Sequence, residues 1–384
     1  MSVALTSKLP GVGTTIFTVM SKLAADTGAI NLSQGYPDFD GPVRLRALVA
    51  EHLNAGRNQY APMAGVVALR EEIARKVARL YAHRADPEAD ITVTAGGTEA
   101  LFCAIQAVVR AGDEVIALEP AYDSYEPAVT LAGGRVVRVP LARPDFHVDW
   151  QRVADAVSAR TRLVIVNTPH NPSGAAWSAQ DLEQCAALSE RHGLYVLADE
   201  VYEHIIFDGR RHMSMLCHAA LARRSFVVSS FGKTYHTTGW KVGYCVAPAE
   251  LTREFRKVHQ FVQFSVVTPM QHAFADFLRE CPEHYLELPS FYQARRDRFA
   301  ALLAGTRLKF RPSAGTYFQL ADYSELGDVP DVEYTQQLTR TIGVAAIPVS
   351  VFSAVNPPGE RLIRFCFAKD DATLVAAAER LARL

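Results

Sequence analysis

The chain has 384 residues, 49% of them hydrophobic and 21% charged, a globular balance that excludes disordered and fibrous classes and leaves room for one large and one smaller domain. Lys and Arg total 40 against 41 Asp and Glu, for a net charge of -1. No overall field draws such a chain to nucleic acid or an anionic membrane, so any anion must be held by local groups.

Residues 1–8 carry no basic stretch ahead of an apolar core, and no run of ~18 apolar residues follows anywhere, so neither a secretory leader nor a membrane span is expected. The rest of the first 40 or so residues is short of regular pattern and is expected to pack on a second domain or a partner subunit. Gly11-Val12-Gly13 lacks a third glycine and follows no strand, which argues against a dinucleotide fingerprint. From about residue 45, short β-branched runs at 91–94, 114–118, 135–139, 163–166, 194–198, 226–229 and 243–246 alternate with helix-period segments such as 99–109, 179–191 and 250–264. That alternation predicts an α/β fold: a large domain over 45–285 with a mainly parallel seven-stranded sheet flanked by helices. After 285 the pattern changes to a long helix, a strand at 315–320, a helix near 332–341 and a strand at 361–367, predicting a smaller α+β domain of 286–384 with an N-terminal arm of 1–44. The cysteines, Cys103, Cys185, Cys217, Cys245, Cys281 and Cys366, form no C-x-x-C pair and have no histidine at zinc-ligand spacing. They read as buried thiols in a reducing compartment, with no metal expected and a cytoplasmic location.

In open α/β sheets ligands sit beyond the carboxyl ends of the strands, so the residues after each apolar run are the informative ones. Gly96, Gly97 and Thr98 follow the first run where a helix begins, and a helix N-terminus offers free N–H groups to a phosphate. Taken alone, the same segment is an ordinary βα turn. Residues 167–174 (NTPHNPSG) make a rigid loop that aims the Asn171 amide at the sheet's mouth. Asp199 ends a buried run and needs a cation or donor; the plainer role is to cap a following helix. Lys233 lies three residues beyond Ser230 and eight before Lys241, in a Gly-containing loop at a strand end. Most lysines are solvated surface charges, but one placed there enters a partly dry cleft, loses its proton readily and condenses with an aldehyde. A phosphate cradle, a carboxylate, a phenol, an amide and an amine around one crevice match the needs of pyridoxal 5′-phosphate.

These residues resemble the fold-type I aminotransferases of class I/II, and within them the branch holding bacterial methionine aminotransferase and the kynurenine/glutamine aminotransferases. The resemblance spans nearly the whole chain and rests on 167–174, on 199–202 (DEVY) and on 229–244 (SSFGKTYHTTGWKVGY). Segments 31–39 (NLSQGYPDF), 60–65 (YAPMAG), 96–101 (GGTEAL), 119–125 (EPAYDSY) and 364–369 (RFCFAK) support it. It implies that Lys233 holds the cofactor as a Schiff base and shuttles the proton, Asp199 pairs with the pyridine nitrogen, Tyr202 and Asn171 bond the ring oxygen, and Tyr122 stacks on the ring. It further implies a phosphate held by Gly96, Gly97, Thr98, Ser230 and Lys241, with Tyr60 from the partner of a homodimer with shared active sites. Arg364, helped by Asn171 and the backbone of Gly35, would take the substrate carboxylate. Tyr36 and the loop around Tyr125 are the candidates for side-chain recognition. Lys241 stands where many aminotransferases use arginine, and gives a point charge instead of a fork.

The implied reaction is a ping-pong transamination between an amino acid (methionine, aromatic or other large uncharged side chain) and a 2-oxo acid. The alternatives are a cysteine-conjugate β-lyase using the same carbanion and a non-catalytic cofactor-sensing module; the latter normally carries an N-terminal DNA-binding segment.

Overall fold

A computed structural model describes residues 5–357 and 359–384; the first four residues of the expected N-terminal arm lie outside them. The central element is a seven-stranded sheet of β1 (Ile91–Thr94), β2 (Glu114–Glu119), β3 (Arg135–Pro140), β4 (Thr161–Asn167), β5 (Tyr195–Asp199), β6 (Ser225–Ser230) and β7 (Gly243–Val246). Their order is β1-β7-β6-β5-β4-β2-β3. The pairs among β2 to β6 are parallel and only β7 runs against its neighbours. All seven expected strands form, within one or two residues of their expected ends. Except in the edge strand β3, where only Val139 is buried, their side chains alternate between two buried faces, as period-2 geometry requires. Leu163, Ile165, Leu197, Phe226 and Val228 pack toward helices Gly97–Val108 and Ala249–Val262. Val164, Val166, Val196, Ala198 and Val227 face helices Val67–Tyr81, Ala179–His192 and Thr268–Glu280. Truncating a side chain such as Phe226, fully buried between these layers, would cost ~3–5 kcal/mol.

Local signals fix the helix ends. Helix Ala179–His192 starts at Ser178 in a reciprocal capping box with Asp181 and stops at Gly193 in the left-handed region, the start contributing ~1 kcal/mol. Helix Ala249–Val262 ends two residues before the expected 264, because Phe264 takes a φ of 64°.

A second sheet holds β8 (Phe318–Asp322), β9 (Ile347–Pro348) and β10 (Leu362–Cys366) in the antiparallel order β9-β10-β8. It packs on helices Glu283–Leu303, Asp331–Thr341 and Asp371–Leu381 around Phe299, Phe365 and Leu374. Two expectations are corrected here. The strand expected at 315–320 begins only at Phe318, since Thr316 has a φ of 62° and breaks the extended run. The N-terminal region is more regular than its sequence suggested: Ile16–Thr27 is a helix capped by Thr15 and Gly28. It packs on helix Asp331–Thr341, and the short strand Ile30–Asn31 pairs with Val344–Ala345.

Among the described residues, no helix is long and apolar enough to cross a membrane.

Candidate active site

The parallel register aligns Asn167 with Asp199 and Asp199 with Val228, so the carboxyl ends of β4, β5 and β6 open onto one edge. There, a cavity of about 370 Å³ is lined by Gly35, Tyr36, Gly97, Thr98, Tyr122, Asn171, Asp199, Tyr202, Ser230, Lys233, Lys241 and Arg364, all of them expected site residues. Gly96 adjoins it. Its φ of +80° suits glycine, and a Cβ there would stand 3.2 Å from Lys241 Nζ. The missing side chain thus lets a cation approach the start of helix Gly97–Val108, where free N–H groups converge.

Asp199 ends β5 and is 5% exposed. The chain after it runs in turns, so the helix-capping role is not the one it plays. Its Oδ2 accepts from the Tyr125 hydroxyl at 2.7 Å, and burial pushes its carboxyl up to about 6. The hydroxyl of Tyr125 is therefore committed to Asp199, and Tyr125 itself is not among the residues lining the cavity.

Lys233 follows β6 with its stem toward the cavity and its ε-amine enclosed. Nζ donates to the Gly35 carbonyl at 3.0 Å and to the Tyr317 hydroxyl at 2.8 Å, and it lies 5.5 Å from the Tyr202 ring centre. Burial lowers this amine to about 8. Burial likewise raises the Tyr202 phenol, and the Tyr122 phenol to about 12.

Arg364, on β10, reaches across from the second sheet and is 1% exposed. Nη1 donates to Asn171 Oδ1 at 2.7 Å and Nη2 to the Ser33 carbonyl at 3.1 Å, while its plane lies 3.9 Å over Phe318. Its Nε is buried with no partner. A buried guanidinium bonded only to neutral groups needs an anion. Asn171 is itself fixed: its N–H donates to Asn167 Oδ1, and Asn167 Nδ2 donates to the Asp199 carbonyl. One amide relay thus joins the acid's strand to the arginine.

Tyr60 stands apart. It is 81% exposed, rests edge-on against Phe264 at 5.2 Å and does not line this cavity. Tyr36 sits at the rim, 46% exposed, with its carbonyl held by Lys369 Nζ at 2.7 Å. Sequence reasoning missed Tyr317, Asn167, Phe17 and Phe318, and the bond from Tyr125 to Asp199. Phe17 and Phe318 line the cavity, and the Gly315-Thr316-Tyr317 turn was the only local cue to Tyr317.

Three cations and one carboxylate line the space. That donor set fits a ligand combining a phosphate, a protonated ring nitrogen and a carboxylate, and the orphaned Arg364 Nε fits the last of these.

Residues 27–381 match the sequence profile of the family described as aminotransferase class I and II. The chain is 57% identical over 378 residues to a methionine aminotransferase of Escherichia coli (strain K12), covering 98% of both. It is 36% identical to kynurenine–oxoglutarate transaminase 3 of Rattus norvegicus, covering 97% of this chain and 88% of that one. Among solved structures, the methionine aminotransferase of Escherichia coli superposes with a TM-score of 0.97 over 100% of both chains. The N-succinyldiaminopimelate aminotransferase of Mycobacterium tuberculosis, 40% identical, superposes with 0.95 over 99% of this chain and 100% of that one.

Proposed function

The chain belongs to the class I and II aminotransferases, enzymes that act on amino acids and 2-oxo acids, and from that premise we propose that it takes methionine or another amino acid with a large uncharged side chain as amino donor, using pyridoxal phosphate bound at Lys233. The observation that carries this reading is the enclosed, inward-facing Lys233 amine in one cavity with the buried Asp199 and the orphaned Arg364. When bound, pyridoxal phosphate supplies an aldehyde that takes up the amino group and a ring that draws electrons from the adjacent carbon.

The roles of the chain's own groups follow from their positions. Lys233, its amine lowered to about 8 by burial, would hold the aldehyde and, when free, is the base placed to move the substrate Cα proton. Asp199, oriented by Tyr125, keeps a proton on the ring nitrogen. Tyr202 and Asn171 would hold the ring oxygen, and Tyr122 would pack on the ring. Gly96, Gly97, Thr98, Ser230 and Lys241 hold the phosphate. Arg364, with Asn171 and the Gly35 backbone, orients the substrate carboxylate. Among the described lining residues every charge then has a task, and those left for the side chain, among them Phe17, Gln34, Tyr36, Leu101, Val201, Thr238 and Phe318, are all uncharged. That remainder supports an uncharged, bulky donor, as does the 57% identical methionine aminotransferase.

The proposal includes a homodimer in which Tyr60 of the partner subunit completes each phosphate site. An exposed patch of Tyr60, Phe261, Phe264 and Val267 supports it. We also propose that 45–285 and the combination of 1–44 with 286–384 act as two domains, and that the enzyme works in the cytoplasm, where its six unpaired cysteines would stay reduced.

The test is a screen of amino donors against a 2-oxo acid with cofactor-loaded protein. Methionine and aromatic donors should exceed aspartate and glutamate in kcat/KM, and Lys233→Ala should abolish turnover. Preference for acidic donors, or release of pyruvate and ammonia from cysteine conjugates as the main reaction, would refute the substrate assignment.

A further inference from the structure

Glu99 places a carboxylate in the first turn of helix Gly97–Val108, directly after the residues proposed to hold a phosphate. Like charges so close would weaken binding unless something compensates. The Glu99 side chain folds back: Oε2 accepts from the Ala95 N–H at 3.0 Å, and Oε1 lies 2.9 Å from His259 Nδ1. His259 is fully buried in helix Ala249–Val262. Its Nε2 faces the Met63 carbonyl at 3.0 Å, so the ring spans two oxygens, one at each nitrogen. Met63 lies in the loop that carries Tyr60, and the same loop is pinned by Ser265 Oγ to the Ala61 carbonyl and by Thr268 Oγ1 to the Gln59 carbonyl.

We propose that Glu99 and His259 are positioning residues for phosphate binding: a buried strut that shapes the cradle, offsets the carboxylate beside it, and ties the cradle to the loop bearing Tyr60. Cys103 joins the cluster, its Sγ donating to Glu99 Oε1 at 2.8 Å. The three side chains bring donor atoms within 4.8 Å of one another, a grouping invisible in linear spacing, but those atoms are engaged in the hydrogen bonds just named.

The inference rests on the pyridoxal-phosphate reading, and the two are separable by comparing pyridoxal phosphate with phosphate-free pyridoxal in equilibrium dialysis against apoprotein. His259→Gln should weaken pyridoxal phosphate about 10-fold, the size expected for losing a hydrogen bond to a charged group, and change pyridoxal less than about twofold. Adding Glu99→Gln to that variant removes the uncompensated charge and should restore most of the difference, which a merely structural role would not do. Equal losses for both ligands, no loss at all, or a double variant no better than the single one would overturn the proposal. So would one-to-one zinc retained by wild-type apoprotein, because a cation would then hold the three donors. If His259→Gln does not fold, His259→Asn with and without Glu99→Gln carries the comparison: its amide still reaches Glu99, so it should lose less than about threefold, and a 10-fold loss that Glu99→Gln leaves in place would be contrary. Wild-type apoprotein that binds no pyridoxal phosphate would defeat the proposed function itself.

Discussion

The ε-amine of Lys233 donates at 2.8 Å to the hydroxyl of Tyr317, which donates in turn to the Gly35 carbonyl at 2.5 Å. A hydrogen bond accepted from an ammonium favours the charged form, so Tyr317 offsets part of the burial that lowers this lysine to about 8. Replacing Tyr317 with Phe should move the midpoint of pH-dependent cofactor uptake by apoprotein below that of wild type, because the free amine then appears at lower pH. An unchanged midpoint would mean that the hydroxyl does not govern the amine.

Asp199 makes the cofactor-free protein pay for its chemistry. Burial raises the carboxyl from 3.8 to about 6, so between these values the folded chain keeps a proton that the unfolded chain has released. Stability of the apoprotein should therefore fall as pH rises through that window, with the full penalty, ~3 kcal/mol, present above it. Asp199→Asn should remove this slope and raise the apoprotein melting temperature at pH 7 by about 3 °C, while reducing transamination at least ~100-fold. Identical pH profiles of melting for the two proteins would contradict this.

Arg364 is bonded only to neutral partners, with Nε unpaired. Arg364→Lys keeps the charge and loses the fork, so kcat/KM for the amino acid should fall about 100-fold, or ~3 kcal/mol, with cofactor affinity within about twofold of wild type. Equal losses in both would place Arg364 in cofactor binding.

The exposed Tyr60 gives a complementation test of shared sites. Lys233→Ala and Tyr60→Ala proteins, each impaired alone, should recover activity when mixed and allowed to exchange subunits. Each hybrid dimer then has one site with both native residues, and random exchange leads to about a quarter of wild-type activity. No recovery despite measured exchange would show that Tyr60 serves its own chain or none.

The central sheet was legible because fully buried parallel strands are continuous β-branched runs bounded by turn residues, and the loops after β4, β5 and β6 inherit their place from those strands. Lys233 and Asp199 could thus be placed at one edge by pattern alone. Arg364 could not: it arrives from a different sheet, and only the family resemblance brought it to the cavity. The partners that tune these groups were hidden for a similar reason. Tyr125 meets Asp199 across 74 residues, Tyr317 meets Lys233 across 84, and His259 meets Glu99 across 160. No periodicity records such contacts. The helix Ile16–Thr27 was missed because its buried face is narrow, with only Met20 and Ala24 fully covered.

The most direct test of the account is to load the protein with pyridoxal phosphate, reduce it with borohydride and map the peptides by mass. The account predicts one phosphopyridoxyl group per chain, on Lys233. A group found on another lysine, or none on a folded protein, would contradict it.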